Sequence, residues 1–190
     1  MLRIVRVMGI ALVAMLAISG VASGHDFKSS VAGNLKVVKN TNQVFNTGAS
    51  SAVTCTKDSI VKGAAASGIQ LSVLAEIEYT GCTVIGPFGL KFEATVSLAQ
   101  YLFSADNELV RLENTIVVRV PIAECNITVK PQDLKAVKYK NTNKHVVVEA
   151  NVSGITSVAS GGECGTGTNT TGTYTGNTEV EVVGGEISWS

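Results

Sequence analysis

The chain has 190 residues, with 15 basic and 15 acidic side chains, so its formal net charge is zero. This balance argues against nucleic-acid binding, which usually requires a basic surface. Hydrophobic residues make up 45% of the sequence, which excludes wholesale disorder and suits a single folded domain. Two histidines and one tryptophan leave few groups for catalysis or for an aromatic binding platform.

Residues 1–24 have the pattern of a secretory signal peptide. Two arginines precede a short apolar run, and small residues follow the run. The rule that small residues flank the cleavage site allows a cut after Ala22 or after Gly24, so we expect a mature domain over 25–190. No second long apolar run follows, and we therefore expect no integral membrane segment after cleavage.

Four cysteines, Cys55, Cys82, Cys125 and Cys164, form an even set, which in an exported protein favours disulfides. No pair has the two-residue spacing of a zinc or thioredoxin-type site. Three pairing schemes exist. We favour Cys55–Cys82 with Cys125–Cys164 because each bond closes a loop within one half of the chain. Each is expected to contribute about 3–4 kcal/mol.

Alternation of apolar and polar residues predicts strands through most of the mature chain. The segments are 69–80, 90–98, 115–120 and 125–130, followed by a hairpin of 134–140 and 145–153. In the first segment the predicted buried face consists of Ile69, Leu71, Val73, Ala75, Ile77 and Tyr79. No helical stripe longer than two turns follows the signal peptide.

The C-terminal part has a different composition. Gly, Thr, Asn and Ser dominate residues 160–178, which predicts a loop. Val180, Val182, Ile187 and Trp189 predict one or two closing strands around a glycine turn. The expected fold is all-β, an antiparallel β-sandwich or partly closed barrel that is stapled by disulfides and preceded by a signal-peptide helix.

Several blocks of the sequence resemble a group of small secreted proteins. The blocks are YTGCTVIG (79–86), CNITV (125–129), VKYKNTN (137–143), VVVEANVSGI (146–155) and CGTGTNTTGTYTG (164–176). The group comprises Thr/Gly-rich, cysteine-containing all-β proteins of soil actinobacteria. Its members often carry a further central cysteine pair, which is missing here between Leu98 and Glu113, so the resemblance implies that Gln100 to Asn114 is less constrained. The group has no assigned activity, and the resemblance therefore implies no site residues.

A copper site is the alternative functional hypothesis. Cleavage after Gly24 would make His25 the amino-terminal residue, whose amine and ring nitrogen can bind one metal ion. His145 would supply the third nitrogen of a site suited to Cu(II). The arrangement resembles the copper centre of secreted polysaccharide monooxygenases, although the aromatic-rich face of those enzymes is hardly matched here.

The basic residues are concentrated in one segment, where an anionic envelope polymer such as a teichoic acid could bind. This candidate contact consists of Lys130, Lys135, Lys138, Lys140 and Lys144. The competing interpretation is that lysines on an edge hairpin prevent edge-to-edge aggregation.

The function that the sequence favours is non-catalytic. We expect a secreted β-domain with a structural or adhesive, binding role in the extracellular medium or at the cell envelope. An envelope glycan or another surface protein is the expected partner, and the sequence indicates neither a cofactor nor a nucleic-acid ligand. A copper-dependent oxidative enzyme is the alternative. A third class, an outer-membrane barrel, is disfavoured by the missing aromatic girdles and the predicted disulfides.

Overall fold

The computed structural model describes residues 24–46, 52–85, 89–162 and 166–190, so all but the last residue of the signal peptide predicted at 1–24 lie outside the described part. The described chain is almost entirely β-structure, which confirms the predicted all-β class. Its strands are β1 (Phe27–Ser29), β2 (Gly33–Asn40), β3 (Gln43–Asn46), β4 (Ala52–Ala65), β5 (Gly68–Gln70), β6 (Ser72–Ile85), β7 (Lys91–Val96), β8 (Ala99–Ser104), β9 (Leu109–Leu112), β10 (Ile116–Val120), β11 (Cys125–Val129), β12 (Gln132–Leu134), β13 (Val137–Thr142), β14 (His145–Ser160), β15 (Gly167–Val182) and β16 (Ile187–Trp189).

Eight strands form a closed ring in which every neighbouring pair is antiparallel. The order around the ring is β3, β4, β6, β7, β10, β11, β14, β15 and back to β3. Its interior is lined by the inward-facing residues of these strands, among them Val53, Val118 and Val129. Closure leaves these strands without an unpaired edge in this half of the molecule.

Four long strands of 14 to 16 residues, β4, β6, β14 and β15, continue beyond the ring and change partners. Beyond the ring they belong to an open arc with the order β13, β14, β15, β2, β4, β6, β8, β9, β12. The arc ends at β12 and β13, which are consecutive in the chain. The partly closed barrel of the sequence prediction therefore describes the architecture better than two separate stacked sheets.

A small antiparallel sheet, in the order β16, β1, β5, packs onto the arc. Phe27 of β1 and Ile187 of β16 are buried against the arc. The backbones of Asp26 and Ser190 exchange two hydrogen bonds of 3.0 Å, which join the two ends of the described chain. The small sheet thus depends on the last strand, as expected for the closing strands around the glycine turn.

One predicted strand is interrupted. Val73, Ala75, Ile77 and Tyr79 are buried as expected, but Ile69 and Leu71 are 67% and 64% exposed, so their predicted burial was wrong. The cause is a bend at Leu71, where β5 leaves the line of β6 to pair with β1. The alternating period is the same in both strands, so the sequence alone does not show that they belong to different sheets.

The predicted loop at 160–178 is the largest difference from the sequence analysis. Residues 163–165 lie outside the described part, but from Gly167 onwards the chain forms the 16-residue strand β15. Pairing with β14, β2 and β3 satisfies its backbone groups on both sides. Because the partner strands supply this pairing, the low strand propensity of glycine and asparagine does not prevent the segment from forming a strand.

The cysteine prediction is confirmed for one pair. Cys55 and Cys82 form a disulfide between directly opposed positions of β4 and β6, with a Cα–Cα distance of 3.9 Å. No described cysteine has a free thiol. Cys164, the predicted partner of the buried Cys125, lies outside the described residues, so the second pairing stays a prediction.

The segment from Gln100 to Asn114, which the resemblance predicts to be less constrained, is held in place by the side chain of Asn114. Asn114 accepts a hydrogen bond of 2.8 Å from the Gln100 backbone and donates one of 2.9 Å to the Leu98 carbonyl. These contacts fasten the start of β8 to the end of the β8–β9 hairpin. Asn114 therefore stabilises the segment from Gln100 to Asn114 that the sequence analysis expected to be less constrained.

Candidate functional site: a cavity lined by the four tyrosines

The open arc encloses a cavity of about 80 Å³, named here the main cavity. Side chains from every strand of the arc line it, together with Phe27 and Ile187 of the small sheet. Most of this lining is aliphatic or aromatic. The closed ring holds a minor cavity of about 40 Å³ that is also almost wholly apolar. An apolar space with a few polar groups is typical of small-molecule sites.

All four tyrosines of the chain line the main cavity, and three of them form a layer between the two cavities. The hydroxyl of Tyr79 donates to that of Tyr101 over 3.0 Å, and it lies 3.4 Å from that of Tyr174. The three side chains come from β6, β8 and β15. Burial separates these hydroxyls from water. Their contacts with one another replace part of the hydrogen bonding that water would otherwise provide.

A buried glutamine connects this layer to a carboxyl group. Tyr174 donates to Gln43 Oε1 over 2.5 Å, and Gln43 Nε2 donates to Thr178 Oγ1 over 3.3 Å. Thr178 Oγ1 in turn donates to Asp58 Oδ2 over 2.5 Å. The network therefore extends across the interior from the tyrosine layer to Asp58 on β4.

Gly176 makes room for this network, since a Cβ there would overlap Gln43 Oε1. We expect Gly176→Ala to displace Gln43, to break its bond with Tyr174 and to lower the free energy of unfolding by about 1–3 kcal/mol. Urea unfolding measures the loss. Combining Gly176→Ala with Gln43→Ala should recover part of it in a double-mutant cycle. If the losses of the two single variants simply add in the double variant, Gly176→Ala does not act by displacing Gln43.

Two residues that line the main cavity each have a buried polar atom without a hydrogen-bond partner among the described residues. The two atoms are Asp58 Oδ1 and the hydroxyl of Tyr139. Asp58 is only 6% exposed and Tyr139 only 3%. Unsatisfied buried polar groups are uncommon in folded proteins because each carries a desolvation penalty. Each of the two atoms has almost no accessible surface, so both are enclosed by the surrounding side chains.

Burial also changes the acidity of these groups. Loss of solvation raises the pKa of Asp58 above its usual value, and the hydrogen bonds from Thr178 and from the Asp58 backbone offset this only in part. Burial raises the pKa of Tyr101 to about 12, and it raises the pKa values of Tyr79, Tyr139 and Tyr174 as well. The interior thus favours the neutral form of every ionisable group that lines the cavity.

A stability prediction follows for Asp58. Because its pKa is raised in the folded chain, its favourable contribution is fully present below the unfolded-state pKa of about 3.9 and is lost as the pH rises through the folded-state value. We expect Asp58→Asn to raise the urea midpoint at neutral pH and to have little effect in acid. Asp106→Asn, on an exposed turn, is the matched control. A lower midpoint for Asp58→Asn at neutral pH would show that the carboxylate is already compensated.

The two histidines of the copper hypothesis have separate partners. The His25 ring stacks on Trp189 with centroids 4.4 Å apart. His145 Nδ1 lies 2.7 Å from Glu179 and its Nε2 lies 3.5 Å from Glu181. Within the described ranges, no group of three or more His, Cys, Asp or Glu side chains is arranged to hold a metal ion. The copper hypothesis therefore gains no support from this geometry.

The five predicted lysines lie on or beside β12, β13 and the turn after β13, at the two ends of the arc. Lys140 pairs with Glu149 at 2.7 Å, and Lys144 pairs with Glu186 at 2.9 Å. The remaining three are exposed and form no ion pair with any described residue: Lys130, Lys135 and Lys138. Their location at strand edges is consistent with protection against aggregation.

The sequence analysis missed the cavity residues. Tyr79 was assigned to a buried face, but nothing indicated that its hydroxyl meets two others. Asp58 is part of a polar stretch of β4 that shows no clear alternation, so its burial had no sequence signal.

Comparison with protein families, with curated proteins and with solved structures gives no match. The fold and the cavity alone therefore define the class, a disulfide-bonded all-β chain with a tyrosine-lined interior cavity. No helix in the described part of the chain is long and apolar enough to cross a bilayer.

Proposed function

We propose that the protein is a secreted, non-catalytic binding protein of the extracellular medium or the cell envelope, and that it holds a small, mainly apolar molecule in the main cavity. The observation that carries the proposal is the main cavity itself, a space of about 80 Å³ whose lining is almost wholly apolar and includes the four tyrosines. The pattern of the signal peptide and the Cys55–Cys82 disulfide support the extracellular location.

Xenon binding, followed by NMR of the whole secreted chain, tests whether the cavity accepts an apolar guest. Ala75 lines the main cavity, so Ala75→Leu should fill it and abolish the xenon response. Ala64→Leu, an exposed position on the same strand as Asp58, should leave the response unchanged. If Ala75→Leu does not fold, Ala150→Leu fills the cavity from another strand.

Equal xenon responses in the wild type and in a folded cavity-filled variant would overturn the proposal, as would the absence of any response. Intact-mass measurement under native conditions on protein exported by its own host provides an independent readout, because a bound molecule adds to the mass of the chain.

An adhesive role at the envelope is the second proposal, with an envelope glycan or another surface protein as partner. The observation in its favour is the exposure of Lys130, Lys135 and Lys138 without ion pairs among the described residues. We expect replacement of all three by glutamine to weaken retention on teichoic acid, most strongly at low salt. A control with the same charge change replaces Lys57, Lys62 and Lys91. Equal losses in both variants would indicate a nonspecific charge effect.

A further inference from the structure

The small sheet forms one end of the main cavity. Phe27 of β1 and Ile187 of β16 belong to the lining and are only 4% and 5% exposed. The tyrosine layer forms the other end, and β6 runs from the bend at Leu71, beside the small sheet, to Tyr79 in this layer. The side wall is the arc, whose neighbouring strands are joined by backbone pairing. A molecule that passes the small sheet therefore separates no strand pair of the arc.

The strand β16 is fastened to the hairpin of β13 and β14 without a strand ladder. The side-chain amide of Asn141 donates to the Trp189 carbonyl over 2.6 Å and accepts from the Trp189 N–H over 2.8 Å. The Ile187 N–H donates to the Lys144 carbonyl over 3.0 Å, and an exposed ion pair of 2.9 Å joins Lys144 to Glu186. These contacts are named here the latch. Among the described strands, β16 pairs only with β1, so the latch is all that holds its other edge.

We propose that β16 is the gate of the main cavity and that a molecule enters or leaves when the latch opens. Opening withdraws Ile187 from the wall and breaks the bond of 3.4 Å from Trp189 Nε1 to the Ala105 carbonyl, but it leaves the pairing of the arc intact. Native proteins open locally in this way at a free energy below that of global unfolding. The inference rests on the proposed binding function and adds the route by which the cavity is filled.

A competing route lies at the gap between β12 and β13, the end strands of the arc. There the side-chain amide of Gln132 donates to the Thr156 carbonyl over 2.9 Å and accepts from the Thr156 N–H over 2.8 Å. It also donates to the Lys130 carbonyl over 3.1 Å. Neither Gln132 nor Thr156 lines the main cavity, whereas Ile187 does, and this difference favours the route at β16. Because Gln132 binds both backbone groups of one residue, as Asn141 does, Gln132→Ala is the matched control for Asn141→Ala.

The test measures xenon exchange by saturation-transfer NMR in the whole secreted chain. Asn141→Ala loses both bonds to Trp189, so we expect xenon to exchange about tenfold faster, the effect of two neutral hydrogen bonds. Xenon affinity should not change, because Asn141 does not line the cavity. Hydrogen exchange of the Ile187 amide, which the latch protects, should rise by a similar factor. Gln132→Ala should leave both exchange rates unchanged.

The outcomes separate the gate from the proposed function. Equal xenon exchange in the wild type and in Asn141→Ala, or a larger increase in Gln132→Ala, would overturn the gate, while the bound xenon would still support the binding function. Absence of xenon binding by the wild type would overturn both. If Asn141→Ala does not fold, Lys144→Gln removes only the exposed ion pair with Glu186, and an increase of about twofold in both exchange rates is then expected. No increase in that variant would likewise contradict the gate.

Discussion

Raising the pH above about 10 is expected to unfold the protein cooperatively, with its four tyrosines ionising together rather than one by one. All four line the main cavity, and burial raises the pKa of each, to about 12 for Tyr101. The unfolded chain loses these protons first. The stability they contribute is therefore fully present below the unfolded-state pKa and is lost as the pH rises through the folded-state values. Tyr101 alone accounts for about 3 kcal/mol.

Tyrosinate absorbance and circular dichroism, recorded in the same alkaline titration, measure this effect. The two signals should change together. Tyr101→Phe removes one ionisation and should move the transition to higher pH, provided that loss of its hydrogen bond with Tyr79 does not dominate at neutral pH. Tyrosinate absorbance that rises near the ordinary tyrosine pKa while the circular dichroism is unchanged would show that the hydroxyls are open to solvent.

Replacing both Cys55 and Cys82 by alanine is expected to lower the free energy of unfolding by about 3–4 kcal/mol. The bond closes a loop with a sequence separation of 27, so its loss frees a large set of unfolded conformations. Both sulfur atoms belong to buried residues of the closed ring, and their removal also costs packing. Denaturant unfolding of the full chain measures the change.

The matched control for the disulfide is the neighbouring cross-strand pair. Thr54 and Thr83 lie opposite each other in the same two strands, one position away, and are partly exposed. Thr54→Ala with Thr83→Ala should cost much less, because it removes no cross-link and creates no buried cavity. A loss below about 1 kcal/mol for the cysteine variant would show that strand pairing alone holds β4 against β6.

Local patterns in the sequence predicted much of the β-structure. The alternation at 115–120 and 125–130 depends only on which side chains face inwards, and these segments form β10 and β11 with Ile116, Val118 and Ile127 buried. The hairpin of β13 and β14 was likewise indicated by its turn residues. Such strands can be predicted from the sequence because a strand with one buried face has apolar residues at every second position.

Contacts between distant segments could not be predicted from local sequence patterns. Nothing local distinguishes Leu71, at the break between β5 and β6, from the buried residues that follow it, because only pairing with β1 decides its environment. The strand β15 is rich in residues of low strand propensity, and three partner strands determine its conformation.

The sequence by itself determined the all-β class, the candidate export signal and the favoured Cys55–Cys82 pair, because each depends on composition, period or spacing along the chain. Only the tertiary structure decided the candidate site. Asp58 and the three tyrosines of the layer lie on β4, β6, β8 and β15, and Thr178 is 120 positions from Asp58. Side chains so far apart in sequence meet only when the long strands exchange partners between the ring and the arc, and no local pattern encodes that exchange.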